Sequence, residues 1–315
     1  MIRRPSRFGR GAAHCLSQRG FTLVELMVSI TIGLALIGAL SVTYLGNAQS
    51  NRSVIALGQL GEDGQAGLAL MVQQLRQTDY NPRVGSPSAR RDLQVDGFAL
   101  FGCDRGFQSV SAATGALACN STTGPAAFSL TYIGDGLNTI PTADVPPKAT
   151  DCTGAGVTPL ADANGSYTVV QNRFYVQNGS LMCAGNGGVT PYATPQPFVE
   201  NVEDMRLMFG VSAPLSTNTV ASGYMSAAEV GAQTGTAGVF ADTDFTDLAA
   251  TARWAKVVSV RVCLVMRSSA VVLPASDAAP QYYNDCSGTK VRTVDGRLRR
   301  AFAATVLLRN RVAAS

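Results

Sequence analysis

Residues 21–45 are apolar or small almost without interruption, and the one charge among them is Glu25; the next is Arg52. As a helix, this stretch extends roughly 37 Å at about 1.5 Å per residue, enough to cross a hydrocarbon core about 30 Å thick. Arg3, Arg4, Arg7, Arg10 and Arg19 precede it, with no acidic residue among residues 1–20. Cytoplasmic flanks favour cations, so the leader is expected in the cytoplasm and the bulk of the chain outside.

The formal charge of +4 reflects that leader. Without residues 1–20 the chain carries 20 basic and 21 acidic side chains. No basic stripe with interleaved aromatic residues follows, so no nucleic-acid partner is expected. The single histidine, His14, also lies in the leader. A chain beginning at residue 21 therefore lacks the usual general base and the usual metal ligand. We expect no enzyme, no cofactor and no metal site. Abundant glycine, with only 15% charged residues, suits a loop-rich β-containing domain.

Of seven cysteines, Cys15 falls in the leader. The others are Cys103, Cys119, Cys152, Cys183, Cys263 and Cys286. An even number in an exported region reads as three disulfides, and the sequence does not choose among about 15 pairings. Sequential pairing, in which each neighbouring pair closes a modest loop, is the expectation. No CxxC spacing supports zinc.

An ordinary secretory signal is cut after its apolar run. Here the candidate cut precedes it, within Arg19-Gly20-Phe21-Thr22-Leu23-Val24-Glu25. This segment resembles the class III leader of type IV prepilins. The resemblance implies cleavage after Gly20 by a prepilin peptidase, and methylation of the new Phe21 amine. A lone carboxylate in lipid needs a partner. In a helical filament, Glu25 of one subunit can neutralise the Phe21 amine of its neighbour; the simpler alternative is that Glu25 snorkels at the membrane edge.

Leu68, Met71, Val72 and Leu75 extend the helix as an amphipathic stripe, and Asn81-Pro82 ends it. Gly33, Gly38, Gly58, Gly61, Gly64 and Gly67 mark either local softness or a break in the helix, or else close packing between subunits or melting on assembly. Residues 83–127 and 134–166 read mostly as loop. Strands are expected at 128–133, at 173–183 around an Asn178-Gly179 hairpin turn, at 199–209, at 257–266 and at 302–308. Short helices are expected from a capping box at Ser226-Ala-Ala-Glu229 and at 244–252. The whole predicts an α+β fold: a long N-terminal helix, transmembrane in its first half, packed on an antiparallel sheet with disulfide-stapled loops. The domains are then residues 1–20 (leader), 21–80 (helix) and 81–315 (exported domain), with an insertion at 210–253. Asp242, Asp244 and Asp247 read as a solvated helix start more than a calcium site, because the EF-hand glycine and closing glutamate are missing. Arg297, Arg299, Arg300, Arg309 and Arg311 read as a solvated face or a patch for acidic neighbours.

The order of these pieces is similar to the PilW family of type IV pilus minor pilins. It is carried by the hairpin ending at Cys183, the segment Phe-Val-Glu-Asn-Val-Glu-Asp-Met at 198–205, the Trp254-to-Ser268 strand and the stretch from Gly296 to Asn310. The resemblance implies a type IV pilin-like fold and a role in priming pilus assembly within a minor-pilin complex at the filament tip. The implied partners are other minor pilins, the major pilin, prepilin peptidase, the inner-membrane assembly platform, the lipid bilayer and a PilY-type tip adhesin. The implied location is a single pass through the inner membrane of a Gram-negative cell with the C-terminal domain in the periplasm, followed by the surface pilus. A J-type pseudopilin of type II secretion, or a membrane-tethered adhesive module, are the alternatives. Gly20→Val is expected to leave residues 1–20 attached; Phe21 found as the N-terminus of that variant by N-terminal sequencing counts against a prepilin leader.

Overall fold

The computed structural model describes residues 20–82, 99–162, 165–212, 220–232, 250–273, 277 and 280–311. The chain forms two compact units, residues 1–51 and 52–315. Helix α1 (Leu23–Gln77) contributes to both. In the first unit its apolar side chains are exposed, from Leu23 and Val24 through Ile30 and Leu40 to Leu45.

In the second unit α1 buries Leu60, Gly64, Gly67, Met71 and Leu75, a stripe of three- and four-residue steps. This stripe is rotated from the expected one, leaving Leu68 and Val72 half-buried at its margin. The glycines explain the rotation. A Cβ on Gly64 would stand 2.3 Å from the Phe302 ring, and one on Gly67 would stand 2.8 Å from Val199. Gly33, Gly38, Gly58 and Gly61 meet nothing within 4 Å. So the two kinds of glycine separate: Gly64 and Gly67 permit close packing, and the others face open space. The helix stops at Gln77, before Asn81-Pro82, because Asp79 turns left-handed at φ 63°. Asn310 then donates to the carbonyls of Arg76 and Thr78.

Two antiparallel sheets and a hairpin follow, where one sheet was expected. The strands of the first are β1 (Leu100–Cys103), β2 (Ala127–Gly134), β3 (Leu160–Asp162), β4 (Gly165–Gln177), β5 (Ser180–Gly185) and β6 (Gln196–Glu200). They are ordered β1-β2-β4-β5-β6, with β3 also on β4. The second sheet has β7 (Val202–Val211), β8 (Gly223–Met225), β9 (Val257–Arg267) and β12 (Arg299–Leu307), in the order β12-β9-β7-β8. β10 (Gln281–Asn284) and β11 (Lys290–Thr293) pair with each other. Asn178 and Gly179 both have positive φ and close the β4–β5 hairpin as the sequence predicts. The strand expected at 199–209 is broken at Asn201, whose φ of 60° sends the chain from one sheet to the other. β1 and β3 were expected as loop; at four and three residues they are too short for alternation to register.

Capping-box helix α2 (Ala227–Ala232) forms as expected: Ser226 N–H donates to Glu229, and Glu229 N–H donates to the Ser226 hydroxyl oxygen. Helix α3 (Ala250–Ala255) carries Trp254, which is buried edge-on against Phe209 at 4.9 Å. Residues 244–249 of the expected second helix, residues 83–98 and the leader residues 1–19 lie outside the described residues. Strand β2 is buried on both faces. One face, with Phe128 and Leu130, joins the main core. The other lies under the segment after β1, which Arg173 pins: its guanidinium donates to the carbonyls of Val110 (2.5 Å) and Ala112 (2.6 Å) and stacks on Tyr192.

Across β12 and β7, Arg299 pairs with Glu203 (2.5 Å) and with Asp295 (2.6 Å), its own side chain 6% exposed. Hydrogen bonding from Arg299 holds the Asp295 carboxyl well below the usual carboxylate range. A depressed folded value contributes stability above the unfolded pKa of about 3.9, and that contribution disappears as pH falls through the folded value. Two outcomes follow in the full chain in detergent. Asp295→Asn is expected to lower the thermal midpoint near neutral pH but to flatten its decline below about pH 4, read by circular dichroism. Gly64→Ala is expected to destabilise by about 1–3 kcal/mol through overpacking on Phe302, whereas Gly58→Ala stabilises by up to about 1 kcal/mol, both read by urea titration.

Candidate functional site

The N-terminal motif is built on the first turn of α1. Gly20 precedes the helix and Phe21 is 84% exposed. Thr22 is the N-cap: the Glu25 backbone N–H donates to its hydroxyl oxygen at 3.2 Å. In return Glu25 Oε2 accepts from the Thr22 backbone N–H (3.1 Å) and from its hydroxyl (3.2 Å). This is a reciprocal capping box, which satisfies two donors that a helix start otherwise leaves open. The carboxylate also sits at the positive end of the helix dipole. Sequence reasoning singled out Glu25 and passed over Thr22, although the Thr-x-x-Glu spacing is itself the signal of a capping box. So the subunit supplies Glu25 with a local partner, independent of any neighbouring amine.

The six cysteines outside the leader form three disulfides, Cys103–Cys119, Cys152–Cys183 and Cys263–Cys286. The pairing is sequential. The bridges span 16, 31 and 23 residues. Loops of this size contribute about 3 kcal/mol each in the chain-entropy account. They fasten the post-β1 loop to its strand, the 150s loop to β5, and the β10–β11 hairpin to β9.

The C-terminal arginines divide. Arg297 donates to the carbonyls of Ser268 and Ser269, and Arg299 belongs to the ion network. Arg311 pairs with Asp79 at 3.4 Å and donates to the carbonyls of Trp254 and Val257; burial lowers its pKa. Three of the five thus hold the fold together, leaving Arg300 and Arg309 exposed. Asp242, Asp244 and Asp247 lie outside the described residues. Among the described residues no group of three His, Cys, Asp or Glu side chains could hold a metal ion. Asp151 accepts from the backbone N–H groups of Thr153, Ala155 and Gly187. That carboxylate is consumed by the loop it shapes.

Comparison with known proteins agrees with both halves of this picture. Residues 166–310 match the family model of type IV pilus-assembly protein W, PilW. Residues 15–41 match the prokaryotic N-terminal methylation motif. The first match runs through β4 to β12, and the second covers Gly20, Phe21, Thr22 and Glu25. Among solved structures, the type IV-like pilin TTHA1219 from Thermus thermophilus aligns at 12% identity over 80% of this chain and 98% of its own, with a TM-score of 0.36. No curated protein matches. The chain is thus similar to the PilW family over residues 166–310 and to the N-terminal methylation motif over residues 15–41.

Proposed function

We propose that this chain is a minor pilin that primes type IV pilus assembly, within a minor-pilin complex at the filament tip. On this reading prepilin peptidase cuts between Gly20 and Phe21. The domain from about residue 81 onward stands in the periplasm, and the helix holds the subunit in the inner membrane until the assembly platform extracts it. The observation that carries the reading is the exposed apolar helix, residues 23–45, whose single charge is engaged only within its own first turn. Such a surface suits lipid first and other helices of the same kind afterwards, because both environments are apolar.

Extraction then exchanges one solvent for another. In lipid, the capping box keeps the Glu25 carboxylate partly satisfied. In the filament, the Phe21 amine of an adjacent subunit supplies a full countercharge. The disulfide-stapled domain remains outside and meets the neighbouring minor pilins, the major pilin and the tip adhesin. On this reading the subunit acts by shape and placement.

Deleting the gene is expected to cut surface pili at least about tenfold by electron microscopy, with Glu25→Val failing to restore them although it still inserts in the membrane. Unchanged piliation in the deletion strain sinks the priming role. Intact pili together with lost enzyme secretion would assign the chain to a secretion system instead.

A further inference from the structure

β12 ends its sheet, and no strand among the described residues pairs with its outer side. Ser268 N–H donates to Leu298 O at one end of the β9–β12 ladder, and Leu308 N–H donates to Val258 O at the other, both at 2.8 Å. Between them the register pairs Arg300, Phe302, Ala304 and Val306 with Met266, Leu264, Val262 and Val260. Antiparallel ladders alternate, so these four face β9 with their backbone groups. The N–H and C=O groups of Ala301, Ala303, Thr305 and Leu307 therefore point away from β9, and none of them has a backbone partner among the described residues. Edges are ordinarily guarded by lysine, proline or a bulge. Residues 301–308 contain no charge and no proline, and the pairing with β9 runs without a register shift.

A groove of about 830 Å³ lies along the same edge. Leu68, Ala69 and Val72 of α1 form its apolar floor, and Ala304 borders it. Val262, next to Ala304 on the β9 side, is fully buried and does not line the groove, so the groove opens on the free side of β12. Its one charged lining residue is Arg76. Arg309 lies exposed just beyond β12, and neither arginine has an acidic partner among the described residues.

We propose that β12 accepts an added antiparallel strand from a partner polypeptide, with small apolar side chains at alternate positions and a carboxylate at its N-terminal end. The backbone of such a strand completes the ladder at Ala301, Ala303, Thr305 and Leu307. Its residues opposite Phe302, Ala304 and Val306 drop onto Leu68, Ala69 and Val72, because alternate side chains share a face. Antiparallel pairing brings its N-terminal end to the C-terminal end of β12, where Arg76 and Arg309 supply the positive charge. The inference rests on the edge and the groove and does not depend on the priming role.

The test uses the full chain in detergent and a synthetic peptide, Glu-Glu-Val-Thr-Val-Thr-Val-Thr, capped at both ends, with a Lys-Lys version as control. At saturation the acidic peptide is expected to slow amide exchange at Ala303, Thr305 and Leu307 at least about tenfold, and to bind about tenfold tighter than the lysine peptide by fluorescence anisotropy. Arg76→Glu should invert that preference. Thr305→Pro removes an outward N–H without touching the β9 ladder, so it should abolish protection while keeping the thermal transition. Slow exchange at these amides in the free chain would show the edge already covered and overturn the proposal. So would saturation without protection, or Thr305→Pro binding as the unaltered chain does.

Discussion

The contact on which the domain depends is the approach of α1 to both sheets at two positions that carry no side chain. Gly64 lies against Phe302 of β12, and Gly67 lies against Val199 of β6. On either side of these points the helix supplies Leu60, Met71 and Leu75 to a single core shared with Phe128, Phe174, Phe209 and Met266. One helix thus joins two sheets between which the chain crosses at Asn201. Glycine is unfavourable within a helix, by up to about 1 kcal/mol per residue. Here the penalty is offset by a closeness of packing that alanine would prevent. The exposed glycines, Gly33, Gly38 and Gly58, have no such compensation inside the subunit.

Much of this architecture was legible in the residues themselves. Asn178-Gly179 announces a hairpin because both positions need positive φ, and Ser226-x-x-Glu229 announces a helix start because its two side chains satisfy each other's backbone. Strand β9 reads clearly because Val260, Val262, Leu264 and Met266 recur at every second position. The break at Asn201 was not legible. Apolar alternation runs through Phe198, Val199, Val202, Met205 and Leu207 on both sides of it, and an asparagine in the left-handed region leaves no mark in periodicity. The phase of the α1 stripe was hidden for a related reason: helical reading counts apolar side chains, and the most deeply seated positions, Gly64 and Gly67, have none.

The motif at the membrane end was legible as chemistry and less so as geometry. Gly20, Phe21 and Glu25 stand out against their surroundings by type alone. That Glu25 is held by Thr22 depends on which rotamer closes the first turn. The carboxylate to which the proposed function gives an assembly role also stabilises the start of its own helix. Under that proposal a substitution there acts on two quantities, the integrity of the helix start and the attraction to a neighbour, and changes at Thr22 separate them.

The end of the chain closes the structure that its beginning opens. Asn310 caps the carbonyl of Arg76, 234 residues earlier in sequence, and Arg311 reaches back to Asp79. Such contacts are among the longest-range pairings of the described residues, and the loop they close is large, which carries an entropic cost. In sequence order the helix comes first and its cap follows 234 residues later. Without residue 310, the last turn of α1 lacks the donor to its terminal carbonyls. The domain thus contains a check on its own completeness: a truncated subunit carries an anchor with an unfinished end.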